Sequence, residues 1–351
     1  MNAPVITALA TYVPPAISLD RWRNIETTLS AATPSGWDAW VRSWGPEFGA
    51  LEQVAVAATD CHAARQAKES GAYRVPVERE ADQSGLAARV AQTICEARRS
   101  DSAPIDIVMF CHSSLNEHVS TTTAGRLCAV VGTPCFPFSV SQQQGASLFT
   151  ALQLARDLLI AEPDIHAILI VAAEKWCPPF SRWIGHHMLH GDAAGALLVE
   201  RHTDTACGLQ VIDTATHALH PFSVQRPYAG AALGLCWAPA LLAMVDDMLA
   251  RQGLLPVDLS AVVGQDIDFQ LHDLLSRHLG FQPTGRHCHA YLGATDSIVQ
   301  LADRLRTSEL LPHSRLLLWG IGLGGYVGCA LLAPRGKPLL HHDIDTRVAS
   351  S

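Results

Sequence analysis

The sequence predicts an α/β fold in which sheets and helices stack in layers, built from two similar halves. Several strand-like runs are apolar throughout, such as Ala167-Ile168-Leu169-Ile170-Val171 and Leu316-Leu317-Leu318-Trp319, which is the pattern of strands buried on both faces. These runs alternate with segments of helical spacing. The third observation is an internal echo: residues 140–160, VSQQQGASLFTALQLARDLLI, against residues 292–305, LGATDSIVQLADRL. Each runs from a Gly-Ala pair into a helix carrying Gln-Leu-Ala, at Gln153-Leu154-Ala155 and at Gln300-Leu301-Ala302, and an apolar strand follows each. A helix leaving a sharp turn gathers its unpaired N–H groups at one spot. Two such turns, one per half, can build one pocket between them. The polar residues 201–206 make the joint, giving halves 1–205 and 206–351.

Val5–Ala10 followed by Pro14-Pro15 predicts an opening strand ended by a turn. Residues 18–45, with Trp22, Trp37, Trp40 and Trp44 among arginines, predict a helical, aromatic-rich insertion, and residues 50–66 are Ala-rich with helical spacing. Residues 71–84 read as an exposed loop, Gly85–Arg98 as a helix and Ile105–Cys111 as a buried strand. Ser113–Val119 is loop-like; Thr122–Val131 is a helix closed by Gly132 and Pro134. Phe136–Ser141 leads into the first turn. A Pro- and His-rich loop follows Glu174-Lys175-Trp176, and the small residues of Gly191–Glu200 pack a turn onto a strand. In the second half, Leu209–Ile212 restarts a strand, 221–237 is irregular, Pro239–Arg251 is a helix and Leu259–Gly264 a short strand. A further helix runs to Leu279, His287–Tyr291 leads to the second turn, Gly320–Leu332 closes as a Gly-rich hairpin, and the tail from Pro334 is expected to fray.

The 351 residues, 48% of them hydrophobic, support a large core, while only 17% are charged and the net charge is −8. A thin charged surface is one that a partner subunit can cover. With no basic run, nucleic-acid binding is not expected. No segment reaches the roughly 18 continuous apolar residues of a membrane span, and the N-terminus lacks a basic region and cleavage site, so no secretory signal is expected. The ten cysteines are scattered without a CxxC pair and read as reduced residues of a cytoplasmic protein.

Candidate motifs weaken on inspection. Gly320-x-Gly322-x-x-Gly325 has the letters of a dinucleotide fingerprint, but a strand-like run follows where the fingerprint needs a helix. Backbone crowding near a ligand or subunit explains it better. His186, His187 and His190 beside Gly191-Asp192, and His287-Cys288-His289, are not spaced as a zinc frame. There is no Gly-x-Ser-x-Gly elbow; Ser147, just inside the first helix, reads as a packing or backbone-bonding residue before a nucleophile.

Four boxes, in order, resemble those of the thiolase fold and, within it, the ketoacyl-ACP synthase III group. They are the opening strand with its Pro-bearing turn, Trp40-Val41-Arg42-Ser43 (similar to W-x-V-x-R-T), Gly191-Asp192-Ala193-Ala194-Gly195-Ala196 (similar to GDGAGA) and Gly320–Tyr326, GIGLGGY (similar to GFGGGF). The resemblance runs nearly the full length. It implies a five-layer αβαβα body, usually dimeric, and acyl transfer from coenzyme A or acyl carrier protein through a Cys, a His and an Asn, with no further cofactor. It also implies that the insertion with Trp40 and Arg42 contacts the pantetheine side, and that Ser147, Gly322 and Gly324 line the substrate.

All three catalytic positions depart from that pattern. The Cys position falls on Gly145, or on Gln144 in a register shifted by one; the His position falls on Gln265 and the Asn position on Ala294. Asp296 is either a surviving polar member or a first-turn acid steadying its helix. Glycine offers no nucleophile, and glutamine neither forms an acyl-enzyme nor acts as a base near neutral pH. His289, or His217 and His220, are candidate bases for non-covalent transfer, and Cys111 a candidate replacement nucleophile near a dimer face. Asp266, Asp268 and Asp273 would repel an acidic carrier protein where the family docks one.

Two functions follow. The leading one is an atypical acyltransferase or synthase of the ketoacyl-ACP synthase III type, acting on acyl thioesters in specialised biosynthesis. The alternative is an inactive thiolase-fold subunit that supports an active homologue; the dimer is then homo- or heterotypic. The replaced triad favours the alternative and the retained glycine boxes fit both, while the family assignment leans to the acyltransferase.

Overall fold

The computed structural model describes residues 3–18, 74–99, 101–113, 122–176, 182–184, 188–203, 206–219, 237–265, 267, 269–282, 290–308 and 314–344. In the first half these form β1 (Val5–Val13), β2 (Ala16–Ser18), β3 (Arg74–Pro76), α1 (Gln83–Ala97), β4 (Ile107–Cys111), α2 (Thr123–Val131), β5 (Phe136–Val140), α3 (Ser147–Ala161), β6 (Ala167–Glu174), β7 (Trp183–Ile184), β8 (Met188–His190) and β9 (Ala193–Glu200). The second half supplies β10 (Leu209–Ala218), α4 (Ala238–Arg251), β11 (Ala261–Gly264), α5 (Phe269–His278), β12 (Ala290–Tyr291), α6 (Asp296–Thr307), β13 (Leu316–Gly322), β14 (Tyr326–Pro334) and β15 (Leu339–Ile344).

Helix ends follow local chemistry. Asp82 caps α1 by accepting from the Gly85 N–H, and Thr122 caps α2 through the Gly125 N–H. Each cap is worth about 1 kcal/mol. Gly132, at φ 73°, ends α2 in the left-handed conformation that glycine adopts without a Cβ penalty.

The hydrophobic clusters define five layers. In one outer layer α1 and α2 bury Leu86, Val90, Ile94 and Leu127 against the outer faces of β1, β4, β6 and β9. In the central layer α3 and α6 place Leu148, Phe149, Leu152, Ile298, Leu301 and Leu305 against strands of both halves. In the other outer layer α4 and α5 cover β13 and β14 with Leu241, Val245, Met248, Leu271 and Leu275. A helix sandwiched between two sheets must be apolar on two sides, which is why α3 reads as apolar with little amphipathic contrast. Each fully buried Leu or Phe there contributes about 1.5–3 kcal/mol.

The sheets of the two halves are not separate. One hydrogen-bonded path runs β11-β13-β14-β10-β1-β9-β6-β4-β5, and β15 joins on β1 to make ten strands. The halves meet where Val5 pairs with Gln210 and Ile6 with Leu209.

Several expectations need correction. The segment expected as an exposed loop at 71–84 contains β3, which pairs with β2, and Val75, Val77 and Glu78 are buried. The tail does not fray at Pro334: β15 runs parallel to β1 from Ala8↔Leu339 to Val13↔Ile344. The strand restarting at Leu209 continues to Ala218 because β14 pairs along its whole length. The aromatic-rich insertion with Trp40 and Arg42 lies outside the described residues.

Candidate active site

The two echoed turns come together. The first is a 3-10 turn over Gln144–Ala146 leading into α3, and the second a 3-10 turn over Gly293–Thr295 leading into α6. They match in backbone with Gln144 (φ 48°) in the place of Gly293 (φ 56°), so the two Gly-Ala pairs that suggested the echo are offset by one residue. Gln142 adds φ 68° just before. Left-handed glutamines are costly, on the order of 1–3 kcal/mol each, and persist where the surroundings fix them.

Gly145 faces the junction. A Cβ built on it would lie 1.9 Å from Gln265 Nε2 and 2.4 Å from the Ile321 carbonyl oxygen. The space that a side chain at this position needs is therefore filled by Gln265 and by backbone. Gln265 is fully buried and held at both ends. Its Oε1 accepts from the Ile321 N–H at 2.7 Å, and its Nε2 donates to the Gly293 carbonyl at 3.2 Å. Tyr291 closes the ring: its hydroxyl accepts from the Gly145 N–H at 3.0 Å and donates to the Ile321 carbonyl at 3.2 Å. The Gly145 amide, which an oxyanion would need, already serves Tyr291. The partners in this network are neutral amides, carbonyls and one phenol.

The other predicted residues are placed as follows. The Gln144 side chain leaves the junction, its Oε1 accepting from the exposed Gly324 N–H at 3.2 Å. Ser147 is buried and its hydroxyl donates back to the Gln144 carbonyl at 2.6 Å, a helix-start bond. Ala294 is fully buried and its N–H donates to Glu174 Oε1 at 3.1 Å. Asp296 opens α6, buried, with Oδ1 accepting from Gln300 Nε2 at 3.5 Å. Gly322 presses on the chain's own first turn, where a Cβ would come 2.0 Å from the Gln143 carbonyl; crowding there is internal rather than against a ligand. Gly320, Gly322 and Gly325 lie in the β13–β14 hairpin.

Cys111 is not at an edge: β4 lies between β5 and β6. Its thiol is fully buried, donates to the Ser147 carbonyl at 3.7 Å, and is pushed up by burial to about 12. A nucleophilic thiol needs the opposite shift, so this geometry speaks against that role. His217 is exposed at the far end of β10. His289 and His220 lie outside the described residues, as do His186, His187, His287, Asp266 and Asp268. Asp273 pairs with Arg277 at 2.7 Å on α5.

Two residues with no role assigned from sequence hold the junction: Tyr291 and Glu174. Glu174 ends the apolar strand β6. Its Oε1 accepts from the Ser113 N–H at 2.9 Å and hydroxyl at 2.5 Å as well as from Ala294. A lone acid closing an all-apolar strand was the sequence signal available for it. Behind Tyr291, His190 stacks on Trp176 with ring centroids 4.1 Å apart and lies 5.5 Å from the Tyr291 ring.

Burial, and then the Arg182 guanidinium, push the His190 imidazole down to about 3. It is neutral at neutral pH and a weak base. The unfolded histidine titrates near 6.5, so between those values the unfolded chain takes up a proton that the folded chain refuses. This contribution to stability is complete above about pH 6.5 and is lost as pH falls toward 3. His190→Phe keeps the ring stack. It should lose less stability than the parent between pH 7 and about pH 4.5 in urea titrations; equal losses would refute the assignment.

No family model matches the sequence, and no curated protein matches it by sequence. Solved structures do match by fold. ChlB3, an acyltransferase, aligns over 96% of this chain and 98% of its own with TM-score 0.71 and 20% identity. FabH, a 3-oxoacyl-(acyl carrier protein) synthase III from Pseudomonas aeruginosa PAO1, aligns over 96% and 99% with TM-score 0.67 and 17% identity. A variant of OleA from Xanthomonas campestris aligns over 94% and 98% with TM-score 0.66 and 13% identity. The layers, the paired turns and these full-length alignments agree: the chain has the thiolase fold, in the form taken by 3-oxoacyl-ACP synthase III structures.

Proposed function

We propose that this chain is a non-catalytic thiolase-fold subunit that supports the acyl-thioester chemistry of an active, homologous partner of the ketoacyl-ACP synthase III type. One observation carries the reading: the place of a nucleophilic side chain at Gly145 is occupied by Gln265 and the Ile321 carbonyl. The residue is not merely exchanged; the volume is closed. The acyl-CoA or acyl-carrier thioester then belongs to the partner's site.

The edge strand β5 supports a partner of the same fold. Its outer edge carries no strand among the described residues, and Phe136 at its start is 65% exposed. Open edges invite strand addition. The strand ends at Val140 and the chain enters the Gln144–Ala146 turn within a few residues. A partner seated there would lie only a few residues along the chain from the plugged junction.

The test is co-expression with an active ketoacyl-ACP synthase III of this fold, followed by purification and thioester turnover with acyl-CoA and acyl-carrier donors. The expected result is a stable mixed complex, no turnover by this chain alone, and turnover by the complex that exceeds that of the partner alone. Turnover by the isolated chain would show catalysis by this chain itself and overturn the proposal.

A further inference from the structure

We propose that Cys128 and Cys135 form a reversible redox disulfide at the foot of the edge strand β5, made by exchange with a low-molecular-weight disulfide. Cys128 lies in the last turns of α2, and Cys135 immediately precedes β5. Between them Gly132, at φ 73°, turns the chain back on itself. The two sulfurs are 2.7 Å apart, only about 0.7 Å beyond a disulfide bond length. Cys128 Sγ also approaches the Cys135 carbonyl at 3.6 Å. Both residues are partly exposed, unlike Cys111 and Cys329, which are buried. A small oxidant therefore reaches this pair without unfolding the core.

The step balances as a thiol–disulfide exchange. The Cys128 sulfur, as thiolate, attacks one sulfur of the small disulfide; that S–S bond breaks, and the departing thiolate takes up the proton Cys128 gave up. The Cys135 sulfur, after losing its proton, attacks Cys128 in the mixed disulfide and releases the second small thiol. Two protein thiols are oxidised and one small disulfide is reduced to two thiols. Burial, then the adjacent Cys128 sulfur, push the Cys135 thiol up to about 12. In the reduced pair this leaves Cys135 a weak attacker, which favours Cys128 as the sulfur that takes the first step.

The experiment uses the full chain, reduced and then exposed to increasing oxidised glutathione, quenched in acid, alkylated and mapped without reduction. The expected result is joint loss of alkylation at Cys128 and Cys135, a linked peptide containing both, and full recovery with dithiothreitol. Cys135→Ser should stop at a glutathione adduct on Cys128. Cys207, exposed, is the internal control. The proposal fails if Cys128 and Cys135 stay alkylatable when Cys207 has exchanged completely. It also fails if each carries its own glutathione, or if Cys95 takes the place of either. The parent protein alone decides the matter should the variant not fold.

Discussion

Restoring a thiol by Gly145→Cys is expected to destabilise the protein by about 3 kcal/mol or more and to yield no acyl-enzyme. Overpacking usually costs about 1–3 kcal/mol, and this site lies at the severe end. Any Cβ at residue 145 meets Gln265 Nε2 at 1.9 Å and the Ile321 carbonyl at 2.4 Å. The first contact can be relieved by swinging the glutamine away, at the loss of its bonds to Ile321 N and Gly293 O, each worth about 1 kcal/mol. The second is backbone within β13, a strand buried along its length, and has no rotamer to escape into. Gly145→Ala, which adds the Cβ alone, should show most of the loss in urea titrations. Combining Gly145→Cys with Gln265→Ala should recover only the part due to the amide. Intact-protein mass spectrometry after incubation with acyl-CoA should find no adduct at residue 145 in either protein. A Gly145→Cys variant as stable as the parent would show that the junction is open after all.

The plug explains which parts of this molecule were readable in its sequence. The paired turns were legible because each is local: a Gly-Ala pair, a helix and an apolar strand within a few tens of residues. The hairpin at Gly320–Leu332 was legible for the same reason. The letters at Gly145, Gln265 and Ala294 could be read. That they close the space could not, since Gln265, Ile321 and Gly145 meet only through tertiary packing. Tyr291 and Glu174 escaped notice likewise: their partners, Gly145 and Ser113, lie far away along the chain. Strands β3 and β15 were misread because each is short or polar-edged and is fixed by pairing with the N-terminal segment. Leu339-Leu340-His341-His342-Asp343-Ile344 carries no pattern of its own that announces a strand. Its histidine finds a partner in Thr11, 2.6 Å from His342 Nδ1.

Asp192→Ala is expected to cost about 3–5 kcal/mol, the usual loss when one member of a buried ion pair is removed. Arg182 and Asp192 side chains are 2% and 0% exposed. The carboxylate accepts from both guanidinium nitrogens, at 2.6 and 2.9 Å, and from the Trp176 and Glu78 N–H groups, each at 2.9 Å. Alanine would strand a buried cation and two backbone donors together. Replacing both members, as Arg182→Met with Asp192→Leu, should be milder than Asp192→Ala alone, because no unpaired charge remains. A single-variant loss below about 1 kcal/mol, the scale of an exposed pair, would overturn this account. The same four bonds give Gly191-Asp192 a structural role of its own. Asp192 ties the segment after β3, the segment after β6 and Arg182, just before β7, into one wall. Arg182 passes that rigidity to the His190 carbonyl at 3.0 Å, His190 to Trp176 and Tyr291 through ring contacts, and Tyr291 to the Gly145 amide. The box is thus accounted for by the architecture of the junction. Asp192→Ala should consequently loosen the Gly145 amide as well, which amide hydrogen exchange at that residue would register as faster exchange than in the parent.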